Sequence, residues 1–429
     1  MGIRELAGLS SDAKRLAIYN GAYNFASGLY GFIAVFYVTS LGYSAAFFGA
    51  LSAAGEAALV ISLLGAPHVA SRTGARGSIA AGTALTAASV AALALSSAPS
   101  MLMASFIGAG TGQALVSPNL SSLISTSEPG ERRTAAFVAS GFLGQVGAFL
   151  GTALSGTMAD ALQPEVGRVD AYRWVIAAAS LAMASAVAAS AGVKLDLRPG
   201  QNPWRIRRED LGTMWRLAAA ATMIGAGAGF LIPFFPLQFK YRFGSSASYI
   251  SLLFSTTNAA MAALMLYMPE LERRLGSLNA IVGSWALATA LMVIMPASSR
   301  TPFGEAIFSA LYLGRTTVMN AIGPVQSSFE LSMLAPDERP AFSSLETISW
   351  NAANAATVAL GGLIMQQSLD APFYAAILRL RGFLLGRRRI LLRIIQGERR
   401  RAARPVTPRR SSPGPGRARA GHPCAELGR

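Results

Sequence analysis

Long apolar stretches follow one another along this chain, and each is about as long as a membrane is thick. Crossing a bilayer as a helix takes about 20 apolar residues. Charged residues make up only 14% of the sequence, against about 25% in a typical soluble domain. Eleven such stretches lie at roughly residues 17–39, 44–66, 78–97, 101–125, 134–158, 173–192, 214–239, 247–268, 278–297, 302–328 and 342–366. They predict an all-α polytopic membrane protein without a cleavable signal, because the first stretch is of full length.

One segment of the sequence occurs twice. Residues Phe106–Arg133 and Tyr312–Arg339 both contain an apolar run and then a charged turn with a proline, and another apolar run follows each of them. Aligned without a gap, Pro118 falls on Pro324. A repeat of this kind indicates two related halves. We predict a six-helix bundle over 1–192, a cytoplasmic loop over 193–213, and a second bundle over 214–378 with five clear spans and the start of a twelfth.

Two short loops occupy equivalent places in the two halves. The first reads PHVASRTGAR from Pro67 to Arg76, and the second reads PELERRLGS from Pro269 to Ser277. Both resemble the signature loop of the major facilitator superfamily, whose usual form is G-x-L-x-D-R-x-G-R-R. The matching residues are Arg72, Gly74 and Arg76 in the first loop and Leu271, Arg274 and Gly276 in the second, while Ser71 and Arg273 stand at the acidic position.

The resemblance covers residues 17 to about 378 and implies a fold and a mechanism. The fold is two six-helix bundles related by a parallel repeat, and the mechanism is a rocking of the bundles that opens one side at a time. In the family this loop carries a charge network that locks the inner face. The resemblance therefore implies a gating loop made of Ser71, Arg72, Gly74, Arg76, Arg274 and Gly276, weakened here because the Ser71 hydroxyl carries no charge.

The fifth span carries four glycines at near-helical spacing. Gly141, Gly144, Gly147 and Gly151 let helix backbones approach closely. They resemble the glycine-rich fifth-helix motif of antiporters in the family, and ordinary helix packing explains them equally well. In the second half, Asn351 and Asn354 fall where Gly144 and Gly147 do. We expect this exchange of small residues for amides to contribute to a substrate site.

Ionisable residues inside membrane spans are costly and are functional candidates by default. Glu56 lies in the second span and Arg315 in the tenth. The family's fourth-helix arginine is absent, with Phe106 or Ala104 about where it would stand, which puts proton coupling in doubt. Polar or aromatic candidates for the lining of a central path are Asn20, Asn24, Gln113, Asn119, Gln145, Phe234, Gln238, Asn258, Asn320, Asn351 and Asn354. Many amides with few charges suit a neutral or amphipathic organic solute.

The basic residues of the loops are unevenly distributed between the two sides of the membrane. With the N-terminus inside, the inner segments hold 16 Lys and Arg residues and the outer loops hold five. Basic residues prefer the cytoplasmic side. The N-terminus is therefore expected in the cytoplasm, in a plasma or inner membrane.

The end of the chain departs from the pattern of apolar spans. Residues 379–429 hold 15 of the 37 basic residues and two of the 21 acidic ones. The net positive charge is therefore no argument for binding nucleic acid. Each Arg near a helix centre costs about 2.5–3.5 kcal/mol on insertion scales. We therefore expect a twelfth helix that is degraded or altered, and we expect residues 399–429 to be disordered. Two hypotheses remain for this region: an altered reading frame near residue 379, or a basic tail that binds anionic lipid.

Several classes of function are disfavoured. His68, His422 and Cys424 are the only His and Cys residues of the chain, so we expect no metal, no cofactor and no enzymatic activity. A receptor or scaffold would need a sensor domain, and the largest loop has about 20 residues. The prediction is a monomeric secondary transporter of a small organic solute in the bilayer. Proton-coupled efflux and nutrient or metabolite uptake remain as alternatives.

Overall fold

The computed structural model describes residues 8–128, 132–191, 193–195, 211–265, 267–333 and 339–377. These residues form helices and turns, without a strand among them. The helices are α1 Ser11–Ser40, α2 Ala45–Leu95, α3 Pro99–Ser127, α4 Arg132–Val166, α5 Arg168–Ala191, α6 Leu211–Leu231, α7 Phe235–Phe243, α8 Ala247–Met265, α9 Met268–Leu275, α10 Ser277–Ser298, α11 Gly304–Ala321, α12 Gly323–Ser332 and α13 Arg339–Gln367. A 3-10 turn, Ile232–Phe234, joins α6 to α7, and residues 371–377 are helical where the twelfth crossing is expected.

Local signals in the sequence start the first helices. The Ser10 hydroxyl accepts a hydrogen bond from the Ala13 N–H, and the Ser44 hydroxyl accepts one from the Phe47 N–H. Such N-caps satisfy backbone donors that have no partner inside the helix. Pro99 begins α3, where its missing N–H costs nothing.

Helix α2 crosses the membrane twice, where the sequence predicted two separate spans. It has 51 residues and contains one non-helical residue, Gly74, at φ 77° and ψ 163°. In the part of the chain that the structure describes, five helical segments are long and apolar enough to cross a membrane, and α2 is one of them. The chain therefore reverses at Gly74 without an intervening loop.

The second half repeats this reversal. Gly276 lies between α9 and α10 at φ 79° and ψ 150°, nearly the conformation of Gly74. A positive φ with extended ψ is essentially restricted to glycine. The related sequence segments thus produce the same backbone turn on the same face, called here the N-terminal face because the chain begins there. The two charged turns of the long repeat fall on 129–131 and 334–338, outside the described residues.

The first half is held together by close backbone contacts between α1 and α4. A Cβ atom on Gly147 would overlap the carbonyl of Gly21, and one on Gly151 would overlap the carbonyl of Phe25. In the second half α6 packs against α13 in the same way, because a Cβ atom on Gly225 would overlap a carbonyl of α13. The glycines of the fifth span are therefore packing residues, apart from Gly141, where an added Cβ meets nothing within 4 Å.

The contacts that join the two halves run from the middle of the molecule to the face opposite the N-terminus, called here the far face. On one side α4 packs against α8, where the Ser255 hydroxyl donates to the Phe149 carbonyl at 3.1 Å. On the other side α2 packs against α13, where Gly49 approaches the Val358 carbonyl. Within the described residues, these contacts close the molecule on the far face.

Candidate functional site

A cavity of ≈ 560 Å³ lies between the two halves. Its wall is built by crossings from both halves, including α1, α2 and α3 from the first and α8, α11 and α13 from the second. Ligand sites of ordinary size have volumes of about 300–1,000 Å³. This space, called the central cavity below, is large enough for a small organic molecule.

Glu56 is the acidic residue of the central cavity. It lies in the first membrane crossing of α2, and its carboxyl atom Oε2 is buried without a hydrogen-bond partner among the described residues. Burying a polar group without a partner is costly. The described residues that line the cavity include no Lys, Arg, Asp or His. The carboxyl group of Glu56 is therefore available to a proton or to a ligand.

Amide and hydroxyl groups supply the remaining polarity. Asn24, Gln113, Asn258 and Asn354 all line the central cavity. Among the described residues, Gln113 has no hydrogen-bond partner for its amide, whereas Asn354 Nδ2 lies 3.5 Å from the Gly225 carbonyl. Side-chain amides both donate and accept hydrogen bonds. The cavity can therefore bind uncharged polar groups of either kind.

Aromatic rings form the apolar part of the wall. Phe254 and Tyr312 stack with ring centroids 4.7 Å apart and an interplanar angle of 17°. Tyr23 and Tyr30 contribute from α1, and Phe106 contributes from α3. Flat rings beside amides favour a solute that has an aromatic or otherwise planar part.

Sequence reasoning missed the tyrosines of this wall. Tyr23, Ser27 and Tyr30 line the cavity one helical turn apart, on the face of α1 that also carries Asn24. Residues three and four apart share a helix face. Helical periodicity starting from Asn24 could have found them.

Several predicted residues lie away from the central cavity. The Asn119, Asn320 and Asn351 amides each donate to a carbonyl one turn earlier in their own helix, at 2.8 Å. Gln145 does not line the cavity, and Asn20 lies in a neighbouring pocket. A side-chain amide that donates to its own helix has one N–H donor fewer to offer a ligand.

Phe234 and Gln238 lie in the far-face closure. The Phe234 ring packs edge-to-face against Phe48, with centroids 6.1 Å apart, and so joins the two halves. Gln238 donates to the Leu369 carbonyl at 2.9 Å and accepts from Arg242 at 2.8 Å. Both side chains are fully buried. The structure thus gives them packing contacts outside the cavity.

Arg315 is buried behind the cavity wall. It is 5% exposed, and its guanidinium lies 5.8 Å from the centre of the Phe235 ring. No carboxylate among the described residues lies within 4.0 Å of it. Its neighbours Tyr312 and Thr316 line the cavity, but Arg315 does not. A desolvated guanidinium stays charged, so Arg315 places a positive charge beside the cavity.

The first signature loop differs from the family pattern at its acidic position. The Ser71 hydroxyl donates to the His68 carbonyl at 2.8 Å, within its own helix. The Arg76 guanidinium donates to the Val193 carbonyl at 2.9 Å, and Arg72 is exposed. Ser71 therefore makes a local hydrogen bond at the position where the family has an acid.

The second signature loop contains a small ion-pair cluster. Arg274 Nε lies 2.6 Å from Glu270, and Arg273 lies 2.7 Å from the same carboxylate. Both arginines are largely exposed, so these pairs contribute little to stability. The acid stands three residues before the position expected from the family pattern, which is why the sequence comparison overlooked it.

Comparison with known proteins agrees with this architecture. The model of the Major Facilitator Superfamily matches residues 16–314. The chain belongs to this superfamily. Its twelve-helix fold is the superfamily's fold, and like other members it is a multi-pass membrane protein of a transporter family.

Solved structures with the same fold include two transporters. The nucleoside transporter NupG superposes with a TM-score of 0.68 at 14% identity, covering 90% of this chain and 99% of that one. A bacterial homologue of the human lysosomal transporter Spinster, inward-facing and unoccupied, superposes with a TM-score of 0.62 at 13% identity, covering 88% and 94%. No curated protein matches the chain. Identities this low establish the superfamily fold alone.

Proposed function

We propose that this superfamily member is a secondary active transporter that carries a small uncharged organic solute through the central cavity by alternating access. In this proposal a monomer with halves 1–192 and 214–378 rocks about the cavity, and its N-terminal face lies in the cytoplasm of a cell whose plasma or inner membrane it spans. Glu56 takes up and releases the coupling proton. The observation that carries the proposal is the unpaired Glu56 carboxyl in a cavity between two related halves.

The composition of the wall supports an uncharged solute. Among the described lining residues an anion would meet Glu56 but no Lys or Arg, and Arg315 behind the wall would offer it no direct contact. Stacked rings and amides suit a planar ring with hydroxyl or amide groups. NupG, which shares the fold, is a nucleoside transporter, and a nucleoside has this chemistry. We therefore choose uridine as the probe and uridine monophosphate as its anionic counterpart.

Ligand stabilisation tests the solute class. A ligand that binds the folded state raises the melting temperature in proportion to the logarithm of its concentration. We expect uridine to stabilise the purified full-length chain and uridine monophosphate to leave its Tm unchanged. Equal shifts, or no shift with uridine at millimolar concentration, contradict the proposed class.

Transport in proteoliposomes tests the role of Glu56. We expect a pH gradient to drive accumulation of labelled uridine by the parent chain but not by Glu56→Gln, which should retain uridine exchange without a gradient. Asp170→Asn is the matched control, because it neutralises an exposed carboxylate in α5. Gradient-driven accumulation that survives in Glu56→Gln excludes Glu56 from coupling.

The same assay separates the two directions of transport. Proton antiport, as in efflux, accumulates uridine in vesicles that are acid inside. Proton symport, as in uptake, accumulates it in vesicles that are alkaline inside. Because each result is independent of the orientation of the protein in the vesicle, mixed insertion does not obscure it.

A further inference from the structure

A second cavity, of ≈ 340 Å³, lies wholly within the first half, between α1, α3 and α4. We call it the side pocket. Its wall includes Asn20 from α1, Ser117 and Ser121 from α3, and Ser140 and Gly141 from α4. It occupies the part of these helices that is nearer the N-terminal face, away from the far-face closure.

The side pocket contains polar groups that the protein leaves unsatisfied. Ser140 is 2% exposed, and its Oγ has no hydrogen-bond partner among the described residues. A buried polar atom without a partner is destabilising. The Oγ atom is enclosed in the wall, so an occupant can bond to it only after the Ser140 side chain rotates toward the pocket.

The amides of the pocket are arranged in a chain. Asn20 Nδ2 donates to the Ser140 carbonyl at 2.9 Å, and Asn24 Nδ2 donates to Asn20 Oδ1 at 2.8 Å. The Asn24 Oδ1 atom and the Gln113 amide receive no bond from the described residues. The pocket therefore offers both donors and acceptors, and its described lining has no charged side chain.

The side pocket is continuous with the central cavity. Tyr23, Asn24 and Gln113 line both spaces. A solute that leaves one space can therefore pass to the other while its polar groups move along the same amides. Because the solute can exchange hydrogen-bond partners along the shared wall, its polar groups are not fully rehydrated between the two positions.

We infer that the side pocket is a second binding site for an uncharged, hydrogen-bonding organic solute, filled from the N-terminal face and adjacent to the central cavity. The identity of that solute rests on the proposed function. The site itself rests on the open amide groups of Asn24 and Gln113 and on the absence of charge among the described lining residues.

Cysteine protection with uridine tests this inference. The only native cysteine is Cys424, so Cys424→Ser gives a thiol-free chain. Ser117→Cys places a thiol in the side pocket and Ser52→Cys places one in the central cavity. We expect uridine to slow the reaction of both thiols with N-ethylmaleimide, by about tenfold when uridine is at about ten times its Kd.

Two glycines allow each space to be filled separately. An added Cβ meets nothing within 4 Å at Gly31, which lines the central cavity, or at Gly141, which lines the side pocket. Gly141→Leu should abolish protection of Ser117→Cys and preserve that of Ser52→Cys, and Gly31→Leu should do the reverse. Ser121→Leu fills the side pocket from its opposite wall and replaces Gly141→Leu if that variant does not fold.

The outcomes separate the two proposals. Protection of Ser52→Cys alone refutes the side pocket and leaves the central site standing. Loss of both protections in Gly31→Leu shows that one central solute shields both thiols, which also refutes a second site. Protection of neither thiol refutes both the proposed solute class and the side pocket.

Discussion

The carboxylate of Asp160 accepts a hydrogen bond from the backbone N–H of Ser248 at 2.7 Å, and this bond joins the two halves of the molecule at the far face. Ser248 lies in the first turn of α8. A negative charge at a helix N-terminus is worth about 0.3–1 kcal/mol when exposed and up to about 2 when partly buried. The bond exists only while the far face is closed, because it links α4 to α8.

We expect Asp160→Asn to shift the molecule toward a state that is open on the far face. If the closed state loses about 1 kcal/mol of stabilisation, the ratio of closed to open molecules changes about fivefold. A thiol placed by Ser255→Cys in the α4–α8 contact reports this opening through its rate of alkylation. Asp170→Asn is the control, because this exposed far-face carboxylate pairs within its own helix. Equal rates in the two variants would show that the Asp160 bond does not hold the closure.

Gly74 and Gly276 should each resist substitution by alanine. At φ 77° and 79° with extended ψ, a Cβ atom costs on the order of 1–3 kcal/mol. We expect Gly74→Ala and Gly276→Ala to lower the thermal unfolding temperature by similar amounts. Gly283→Ala is the control, because that glycine is inside α10 with open space around it, where alanine stabilises a helix by about 1 kcal/mol. A neutral effect at Gly276 would show that the two turns are not equivalent.

Arg242 and Asp370 form a largely buried ion pair on the far face. Their side chains lie 2.5 Å apart, and that of Arg242 is 7% exposed. Removing one partner of a buried pair costs about 3–5 kcal/mol, because the other charge remains buried. We expect Asp370→Asn to lower the unfolding free energy by about 3 kcal/mol in this case, since Asp370 is partly exposed. Thermal unfolding in detergent measures the loss.

A double variant separates the contribution of that ion pair to stability from the cost of leaving one charge buried without its partner. Arg242→Met with Asp370→Asn should recover part of the stability that Asp370→Asn alone loses, because no buried cation remains. Asp170→Asn should cost no more than about 1 kcal/mol, since its pair with Arg173 is exposed. If the double variant is the least stable of the three, packing of the Arg242 guanidinium over Phe308 and Phe373 is the larger contribution.

Replacing Arg315 should affect transport more than stability. Arg315→Met keeps most of the side-chain volume and removes a desolvated charge that has no carboxylate partner among the described residues, so the unfolding temperature should hold or rise. We expect uridine exchange to be impaired, because the guanidinium lies against the Phe235 ring and next to Tyr312 and Thr316, which form the cavity wall. Asn320→Ala is the control on the same helix, since that amide bonds only to Thr316 in the described structure. Full exchange by Arg315→Met would assign Arg315 to the fold alone.

The sequence by itself determined the architecture. Apolar stretches of bilayer length specify helices because an unpaired backbone cannot be exposed to lipid. The repeat placed Gly74 and Gly276 at equivalent turns, and the superfamily inferred from those loops is confirmed by the family match over 16–314. These features are local, since each depends on residues that are close together in the chain. The division at 1–192 and 214–378, and the origin of the 379–429 tail, stay predictions.

Only the tertiary structure decided which polar side chains share a cavity. Asn24 and Asn119 look alike in the sequence, but the first lines the central cavity and the second bonds to the carbonyl of Leu115 in its own helix. Phe234 lies in the far-face closure, although Pro233 beside it lines the cavity. The physical reason is that hydropathy fixes the length of a membrane helix, whereas its rotation is set by contacts with its neighbours, such as the backbone approach of Gly147 to Gly21.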